Sequence, residues 1–187
     1  MNYKDQSLKK YLDDLAAKLS APGGGSAAAM SAALGVSLLS MVLNFTVGKP
    51  KYLKFEPDLR KLLDKSEKLR HEFLRLVDLD VEAYQSKDIR KALNVPFMIC
   101  RLSLEAIKLC PVLVKKGNVN LISDVSCGAV LLEAAFSAGY ANVEINLKSI
   151  NDKNLSKNIH KELLSSAKTV KKIRMQTEEK VGKIIRG

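Results

Sequence analysis

The sequence predicts an all-α protein, a single-domain bundle of about five or six long helices with no sheet. Hydrophobic residues make up 47% of the chain, aromatic residues only 5%, and Trp is absent. The core must therefore be built from Leu, Ile, Val and Ala, which suits packed helices better than a β-sandwich. Every periodic stretch has the helical repeat, and none alternates like a strand. The length of 187 residues suits one domain, 1–187.

Leucines at steps of four, three and four residues predict the first helix, because this spacing places them on one face: Leu8, Leu12, Leu15 and Leu19. Pro22 ends this helix, since proline disfavours a helical residue before it. Three consecutive glycines, Gly23, Gly24 and Gly25, then lead into the next element.

The second helix is predicted over 26–47 and is apolar nearly all round. Ser26 is placed to cap its start, and Gly48 to end it in the left-handed conformation. Four serines within it and the lack of a positive flank before it disfavour a membrane span, so we interpret it as a central bundle helix. A ridge of small residues, where another backbone can approach closely, occupies every fourth position: Ala27, Ser31 and Gly35.

The third helix starts at Pro57, in the first helical position that proline favours. Its apolar stripe, continued at steps of four and three, places Asp80 toward the core, while Asp78 lies roughly 200° around the helix. A carboxylate on a buried stripe must be paired or hydrogen-bonded, or its pKa rises. Asp80 is therefore a candidate acid or base, the alternative being that it caps a neighbouring helix.

Three more helical stretches follow. The first covers 88–116, is interrupted or restarted at Pro96 and Pro111, and stops at a glycine. An Ala-rich apolar segment follows over 123–147, and a long final helix carries apolar residues on one face over 155–184.

The glycine turn, Gly23 to Gly25, does not match a nucleotide-binding loop. A Walker loop needs GK[ST] at a fixed spacing, and G-x-G-x-x-A is informative only after a strand, whereas a helix is predicted here. What remains is a helix start with unpaired N–H groups and a positive dipole end, which can accept a carboxylate or a carbonyl-rich ring. A flexible loop between helices is the alternative.

Two polar segments between apolar helices complete the candidates. GNVNLISD contributes Asn118, Ser123 and Asp124, for which a helix cap is an alternative role. Asn142 and Asn146 lie one helical turn apart, so their amides project from the same face. Such amides suit a ring that offers both donors and acceptors, such as a pterin. The alternative is that they are paired polar residues between helices.

The net charge of +11 favours an anionic partner, which could be nucleic acid, a membrane surface or a polyanionic small molecule. No nucleic-acid-binding motif accompanies the lysines, so nucleic acid is disfavoured, and solvated helix faces are the simplest interpretation. The three cysteines form no CxxC pair and the two histidines lie far apart, so we expect no metal site and no disulfide framework. A cytoplasmic protein is expected, because the N-terminus has no secretory segment.

The order of the motifs is more specific than any one of them: APGGGS, TVGKPKY, VDLDVEAY, KKGNVNLISDV and NVEINLKSI. In this order they resemble the cyclodeaminase/cyclohydrolase family of folate enzymes, which includes the cyclodeaminase half of formiminotransferase-cyclodeaminase and stand-alone methenyltetrahydrofolate cyclohydrolases. The resemblance covers about 8–172. One departure is a shorter connection between Tyr84 and Pro96, which keeps a non-catalytic folate-binding or helical interaction protein open as an alternative.

The resemblance implies one of two reactions, neither of which uses a metal or redox cofactor. One is cyclisation of 5-formiminotetrahydrofolate to 5,10-methenyltetrahydrofolate with release of ammonia, and the other is reversible hydrolysis of the methenyl form to 10-formyltetrahydrofolate. It also implies a homodimer with folate bound beside the glycine turn, close to the subunit contact. Natural folates carry polyglutamate tails, which a lysine-rich surface would attract.

The resemblance also implies roles for individual residues. The acid/base and charge-stabilising groups would be Asp80, the second acid of DxD, and Asp124, the acid of SD, with Lys49 as a positioning or anion-binding group. Asp78, the first acid of DxD, ranks lower because of its off-stripe position. The residues expected to hold the folate are Gly23, Gly24, Gly25, Ser26, Asn118, Ser123, Asn142 and Asn146.

Overall fold

The computed structural model describes residues 2–187 and confirms the all-α prediction, with no strand in this part of the chain. Five of its seven helices have 19 residues or more. The α-helices are α1 (Leu8–Ala16), α2 (Gly24–Asn44), α3 (Glu56–Gln85), α4 (Ile89–Ile107), α5 (Cys110–Lys116), α6 (Ile122–Leu147) and α7 (Lys153–Arg186). Short 3₁₀ turns cover Tyr3–Asp5, Pro50–Phe55 and Val119–Leu121.

The antiparallel pair α2 and α6 forms the centre of the bundle, with α3 packed on α2, and α4 and α7 packed on α6. The two central helices approach closely through small residues. A Cβ atom on Gly35 would lie 3.1 Å from the carbonyl oxygen of Gly128, and Ser31 Oγ donates a hydrogen bond to the Leu131 carbonyl (3.2 Å). The predicted small-residue ridge is thus confirmed as a helix contact.

The ends of α2 differ from the predicted range 26–47. The helix begins at Gly24 with Gly23 as its N-cap residue, so Ser26 lies inside the first turn and is not the cap. It ends at Asn44, and Gly48, which has the expected positive φ of 76°, lies four residues beyond. The unpaired N–H groups of the first turn therefore belong to the glycines themselves.

Of the two predicted interruptions of the fourth stretch, only the second is correct. Helix α4 continues through Pro96, which is buried where α4 packs closely on Gly139 of α6, so packing overrides the loss of one N–H group. It ends at Ile107, and Pro111 lies in the first turn of α5, where proline is tolerated. Pro57 lies in the first turn of α3, as predicted.

The predicted core face of α1 is wrong for Leu8 and Leu12, which are 65% and 50% exposed, whereas Leu15 is half-buried against the core. The helix ends at Ala16, so Leu19 lies beyond it. The buried face instead carries Tyr11 and Asp14. The Tyr3 hydroxyl donates to Asp14 Oδ2 (3.0 Å), and the Tyr3 ring meets the Tyr11 ring edge-on with centroids 5.5 Å apart. This polar and aromatic contact with the preceding 3₁₀ turn decides which side of α1 faces the bundle.

By length and composition alone, two segments could cross a membrane, Gly24–Asn44 and Val119–Leu147. In the most apolar 18 residues of the first segment, 61% of the residues are buried inside the bundle. In the most apolar 18 residues of the second segment, only 39% are buried. The exposed remainder of α6 includes an uncharged row at steps of four and three residues, called the outer stripe below: Ser123, Cys127, Val130, Ala134, Ser137 and Ala141.

Candidate functional site

Four helix ends meet at the glycine turn and enclose a cavity of about 310 Å³, called the glycine-turn cavity below. The start of α2 forms one wall, the end of α3 the second, and the start of α4 with the end of α6 the third. The lining residues are Ser20, Ala21, Gly23, Gly24, Gly25, Asp80, Tyr84, Ala92, Asn142, Ile145 and Asn146.

Asp80 reaches from α3 to the first turn of α2. Its Oδ2 accepts a hydrogen bond from the Ser26 backbone N–H (2.8 Å), which leaves Oδ1 facing the cavity. A Cβ atom on Gly25 would lie 2.1 Å from Oδ1, so only glycine leaves room for the carboxylate here. Burial raises the pKa of Asp80, and the Ser26 hydrogen bond opposes this in part. The carboxyl group therefore takes up a proton more readily than an aspartate in water.

Ser26 supports the site from behind rather than lining it. Its side chain is fully buried and donates from Oγ to the Val77 carbonyl on α3 (3.0 Å). The same Oγ lies 3.2 Å from the hydroxyl of Tyr11. Ser26 thus ties α1, α2 and α3 together at the point where its N–H holds Asp80.

The two asparagines of α6 face the cavity with their oxygen atoms unengaged. Asn142 Nδ2 donates to the Ala138 carbonyl (2.9 Å), and Asn146 Nδ2 donates to the Ala92 carbonyl (2.6 Å). Each bond uses one of the two amide hydrogens and neither oxygen, so each asparagine keeps its Oδ1 as an acceptor and one N–H as a donor. The N–H groups of the first turn of α2 supply donors on the opposite wall. The cavity can therefore recognise a ring that carries donors on one edge and acceptors on another.

Asp80 faces α2, as its place on the apolar stripe of α3 predicts, but Asp78, which lies off that stripe, is also buried. Asp78 is only 5% exposed, and its Oδ1 accepts the backbone N–H groups of Tyr3 (2.5 Å) and Lys4 (3.3 Å). Lys4 Nζ lies 3.7 Å from its other oxygen. The N-terminal turn covers this side of α3, so Asp78 anchors the N-terminus while Asp80 remains half-exposed at the cavity.

The other predicted site residues lie at the opposite end of the central helix pair, and we call them the Lys49 cluster: Lys49, Asn118, Ser123 and Asp124. The side chain of Asn118 accepts from the Asn120 N–H and donates to the Phe45 carbonyl. Lys49 and Ser123 are exposed, and Asp124 is half-buried. An α-helix of 21 residues is about 30 Å long. Within one chain, this cluster does not reach the glycine-turn cavity.

Tyr11, behind the cavity, was not predicted, and neither were five of the lining residues: Ser20, Ala21, Tyr84, Ala92 and Ile145. Tyr84 falls inside the VDLDVEAY motif and lines the cavity, so its place in the motif that carries the two acids could have marked it as a site residue. Tyr11 lies outside the leucine stripe of α1, and no sequence pattern marks it. Among residues 2–187, no group of three His, Cys, Asp or Glu side chains could hold a metal ion.

The sequence model of the formiminotransferase-cyclodeaminase family matches residues 7–87 and 85–165. This chain belongs to that family. The two matched stretches overlap at residues 85–87, in the connection between α3 and α4. The structure closes this connection with three residues, including Lys87 at a φ of 56°, directly beside the cavity.

Relatives within the family are similar to this chain over most of its length. The methenyltetrahydrofolate cyclohydrolase of Methylorubrum extorquens is 34% identical over 85% of this chain and 88% of that protein. The formimidoyltransferase-cyclodeaminase of Rattus norvegicus is 29% identical over 88% of this chain, which spans only 35% of that longer protein. The crystal structure of formiminotetrahydrofolate cyclodeaminase from Thermotoga maritima matches with a TM-score of 0.92 and 28% identity, over 97% of this chain and 98% of that one.

Proposed function

We propose that this chain is a folate one-carbon enzyme that closes or opens the ring of 5,10-methenyltetrahydrofolate. The observation that carries the proposal is the Asp80 carboxyl, held at the glycine turn with a raised pKa inside the cavity. The cavity volume of about 310 Å³ lies at the lower end of the range for small-molecule sites. It suits the pterin ring, with the aminobenzoyl-glutamate part extending outside.

The polar groups of the cavity complement the pterin. Its amino group and ring N–H can donate to the free Oδ1 atoms of Asn142 and Asn146. Its carbonyl oxygen can accept from the N–H groups of Gly24 and Gly25 at the helix start, where the dipole also favours it. Both edges of the ring are thus matched, which fixes its orientation relative to Asp80.

A single carboxyl group can serve both reactions. In cyclodeamination, N10 attacks the carbon of the protonated formimino group (CH=NH₂⁺), N10 loses its proton, and the NH₂ group gains that proton and leaves as ammonia. In hydrolysis, water attacks the methenyl carbon, water loses a proton, and the bond from that carbon to N5 breaks. Asp80 can accept the first proton and donate it onward, a contribution of about 10²–10⁴ in rate. Its negative charge also stabilises the methenyl cation.

Two assays on the same purified protein test this function. Ammonia release is measured with 5-formiminotetrahydrofolate, and loss of the methenyl absorbance is measured with 5,10-methenyltetrahydrofolate. We expect turnover in at least one assay, and the faster reaction identifies the activity. Folate binding without turnover of either substrate would instead support a non-catalytic binding protein.

We also propose that the protein is a homodimer whose contact is the face formed by α2 and α6. Helix α2 carries no charged residue, yet Leu34 on it is 54% exposed, and the outer stripe of α6 is likewise uncharged. An exposed face without charges that runs along two long helices is typical of a subunit contact. A dimer formed through this face would bury it.

A two-fold axis that lies in the plane of this contact and runs perpendicular to the central helix pair would complete the site. In such a dimer each end of the central helix pair meets the opposite end of the partner's pair. The glycine-turn cavity of one subunit would then lie near the Lys49 cluster of the other. Asp124 and Lys49 would act on the folate from across the contact, which accounts for their distance from Asp80 within one chain.

Leu34→Glu tests this dimer. A buried, unpaired carboxylate at the contact is strongly unfavourable, so we expect the molar mass measured by light scattering to halve and turnover to fall with it. Leu164→Glu on α7 is the matched control, since Leu164 is also 54% exposed. A wild-type monomer, or a Leu34→Glu variant that stays dimeric, would refute the proposal.

Basic residues beside the cavity are placed to attract a polyglutamate tail. Five exposed cations lie within three residues of a lining residue in the sequence, and none forms an ion pair within residues 2–187: Lys18, Lys87, Arg90, Lys91 and Lys148. We propose that folates with longer glutamate tails bind more tightly at low salt, because screening weakens such contacts as ionic strength rises.

A triple variant, K87Q/R90Q/K91Q, tests the polyglutamate proposal. We expect it to lose most of the affinity gained with tail length while keeping its affinity for the monoglutamate. The control is K168Q/K171Q/K172Q, which removes the same charge from the middle of α7. Affinity that is independent of tail length in the wild type at low salt would end the proposal.

A further inference from the structure

Tyr11 connects the N-terminal helix to the residue that holds Asp80. It is only 3% exposed, it does not line the glycine-turn cavity, and its hydroxyl lies 3.2 Å from Ser26 Oγ. The Ser26 hydroxyl has one hydrogen and donates it to the Val77 carbonyl. Tyr11 must therefore be the donor in its bond to Ser26.

The hydrogen bonds continue from Tyr11 to the cavity. Tyr11 O–H donates to the side chain of Ser26, and the backbone N–H of Ser26 donates to Asp80 Oδ2 (2.8 Å). Burial raises the pKa of Tyr11, and the charge of Asp80 adds to the rise, so the phenol stays protonated and remains a donor.

The N-terminal turn fixes Tyr11 from its other side. The Tyr3 ring packs edge-on against the Tyr11 ring, and the Tyr3 N–H donates to Asp78 on α3. Asp78, the first acid of the DxD motif, thus holds the N-terminal turn in place. That turn packs on Tyr11, which is linked through Ser26 to Asp80, the second acid. The backbone of α3 carries both acids, two residues apart.

We propose that Tyr11 is a positioning residue that sets the orientation and protonation of Asp80 through Ser26, a role that rests on Asp80 being the acid/base group of the proposed function. Without the phenol, Ser26 loses one of the bonds that fix the first turn of α2. The N–H bond to Asp80 then weakens, and this bond is the one that opposes the effect of burial. The pKa of Asp80 should rise further.

Few other groups around Asp80 can titrate. Tyr84 on α3 lines the same cavity, and Tyr11 on α1 lies behind it. The walls from α4 and α6 present Ala92, Asn142 and Asn146, which carry no charge. A change in the titration of Asp80 on removing the Tyr11 hydroxyl therefore has a single origin.

Tyr11→Phe and Tyr3→Phe form a matched pair. Both remove a phenol from the same buried contact, but Tyr3 donates to Asp14 and not to Ser26. In Tyr11→Phe we expect kcat to fall about tenfold with KM changed by less than about threefold, as for a misplaced catalytic group. The limb of the pH–rate profile that reports Asp80 should move to higher pH. In Tyr3→Phe we expect lower stability and an unchanged profile.

Carboxyl ¹³C NMR of Asp80 decides the positioning role independently of turnover. The midpoint of the Asp80 titration should be higher in Tyr11→Phe than in the wild type and unchanged in Tyr3→Phe. An unchanged midpoint in Tyr11→Phe, or equal shifts in both variants, would overturn the role. If the wild type turns over neither folate, the proposed function fails, and the NMR titration still tests whether Tyr11 controls Asp80.

Discussion

Asp80→Asn is expected to lower kcat by about 10²–10⁴, the usual contribution of a general acid or base, while leaving the helical fold intact. Asparagine has nearly the same shape as aspartate, and its Oδ1 can still accept the Ser26 N–H bond. It cannot relay a proton or oppose the charge of the methenyl cation. Both turnover assays, with far-UV circular dichroism as the fold control, measure the effect. Full activity in this variant would remove Asp80 from the mechanism.

The same substitution separates function from stability. The pKa of Asp80 is raised in the folded state, so the folded protein binds this proton more tightly than the unfolded chain. Its contribution to the free energy of unfolding therefore falls as pH increases from the ordinary aspartate pKa through the raised value. Asp80→Asn lacks this loss, and we expect it to be at least as stable as the wild type at pH 7 in urea denaturation. Asp78→Asn, which weakens the N-terminal anchor, should be less stable.

Gly25→Ala is expected to abolish most turnover with little change in global stability. The new methyl group would lie 2.1 Å from Asp80 Oδ1 and 2.6 Å from its carboxyl carbon, so the carboxylate must leave its position. Alanine is otherwise well suited to this helical residue. The turnover assays and thermal unfolding together measure the result.

Its neighbours provide graded controls. A Cβ atom on Gly24 would meet only the end of the Asn142 side chain, at 3.1 Å, and one on Gly23 would meet no atom within 4 Å. We expect Gly24→Ala to raise KM more than it lowers kcat, because it disturbs a folate-holding amide, and Gly23→Ala to be nearly silent. Equal losses at all three positions would show that the turn needs flexibility and not space for Asp80.

Helical periodicity predicts the long helices well, but it does not predict which face of a short helix is buried. The stripes of α3 and α7 extend over many turns, so their apolar residues determine the packing. In α1, nine residues long, the contacts of Tyr11 and Asp14 with the N-terminal turn outweigh the leucines. The same turn buries Asp78, which explains why spacing along α3 alone predicted the position of Asp80 but not the burial of Asp78.

The sequence motifs predict most of the polar residues that line the glycine-turn cavity within one chain. Gly25, Asp80 and Asn142 come together because α2, α3 and α6 share one end of the bundle. The positions of Asp124 and Lys49 at the other end depend on the direction in which α2 and α6 run, which the motif order does not encode. Under the proposed dimer, they would reach the site only across the subunit contact.

The central claim, that the glycine-turn cavity binds the pterin ring beside Asp80, is tested most directly by NMR with tetrahydrofolate, which lacks the reacting carbon. We predict saturable shifts of the side-chain amides of Asn142 and Asn146 and of the backbone of Gly24, with Asn154 on α7 unchanged. Saturable binding that leaves the cavity residues unchanged and shifts residues elsewhere, such as the exposed lysine-lined groove of α7, would contradict the account.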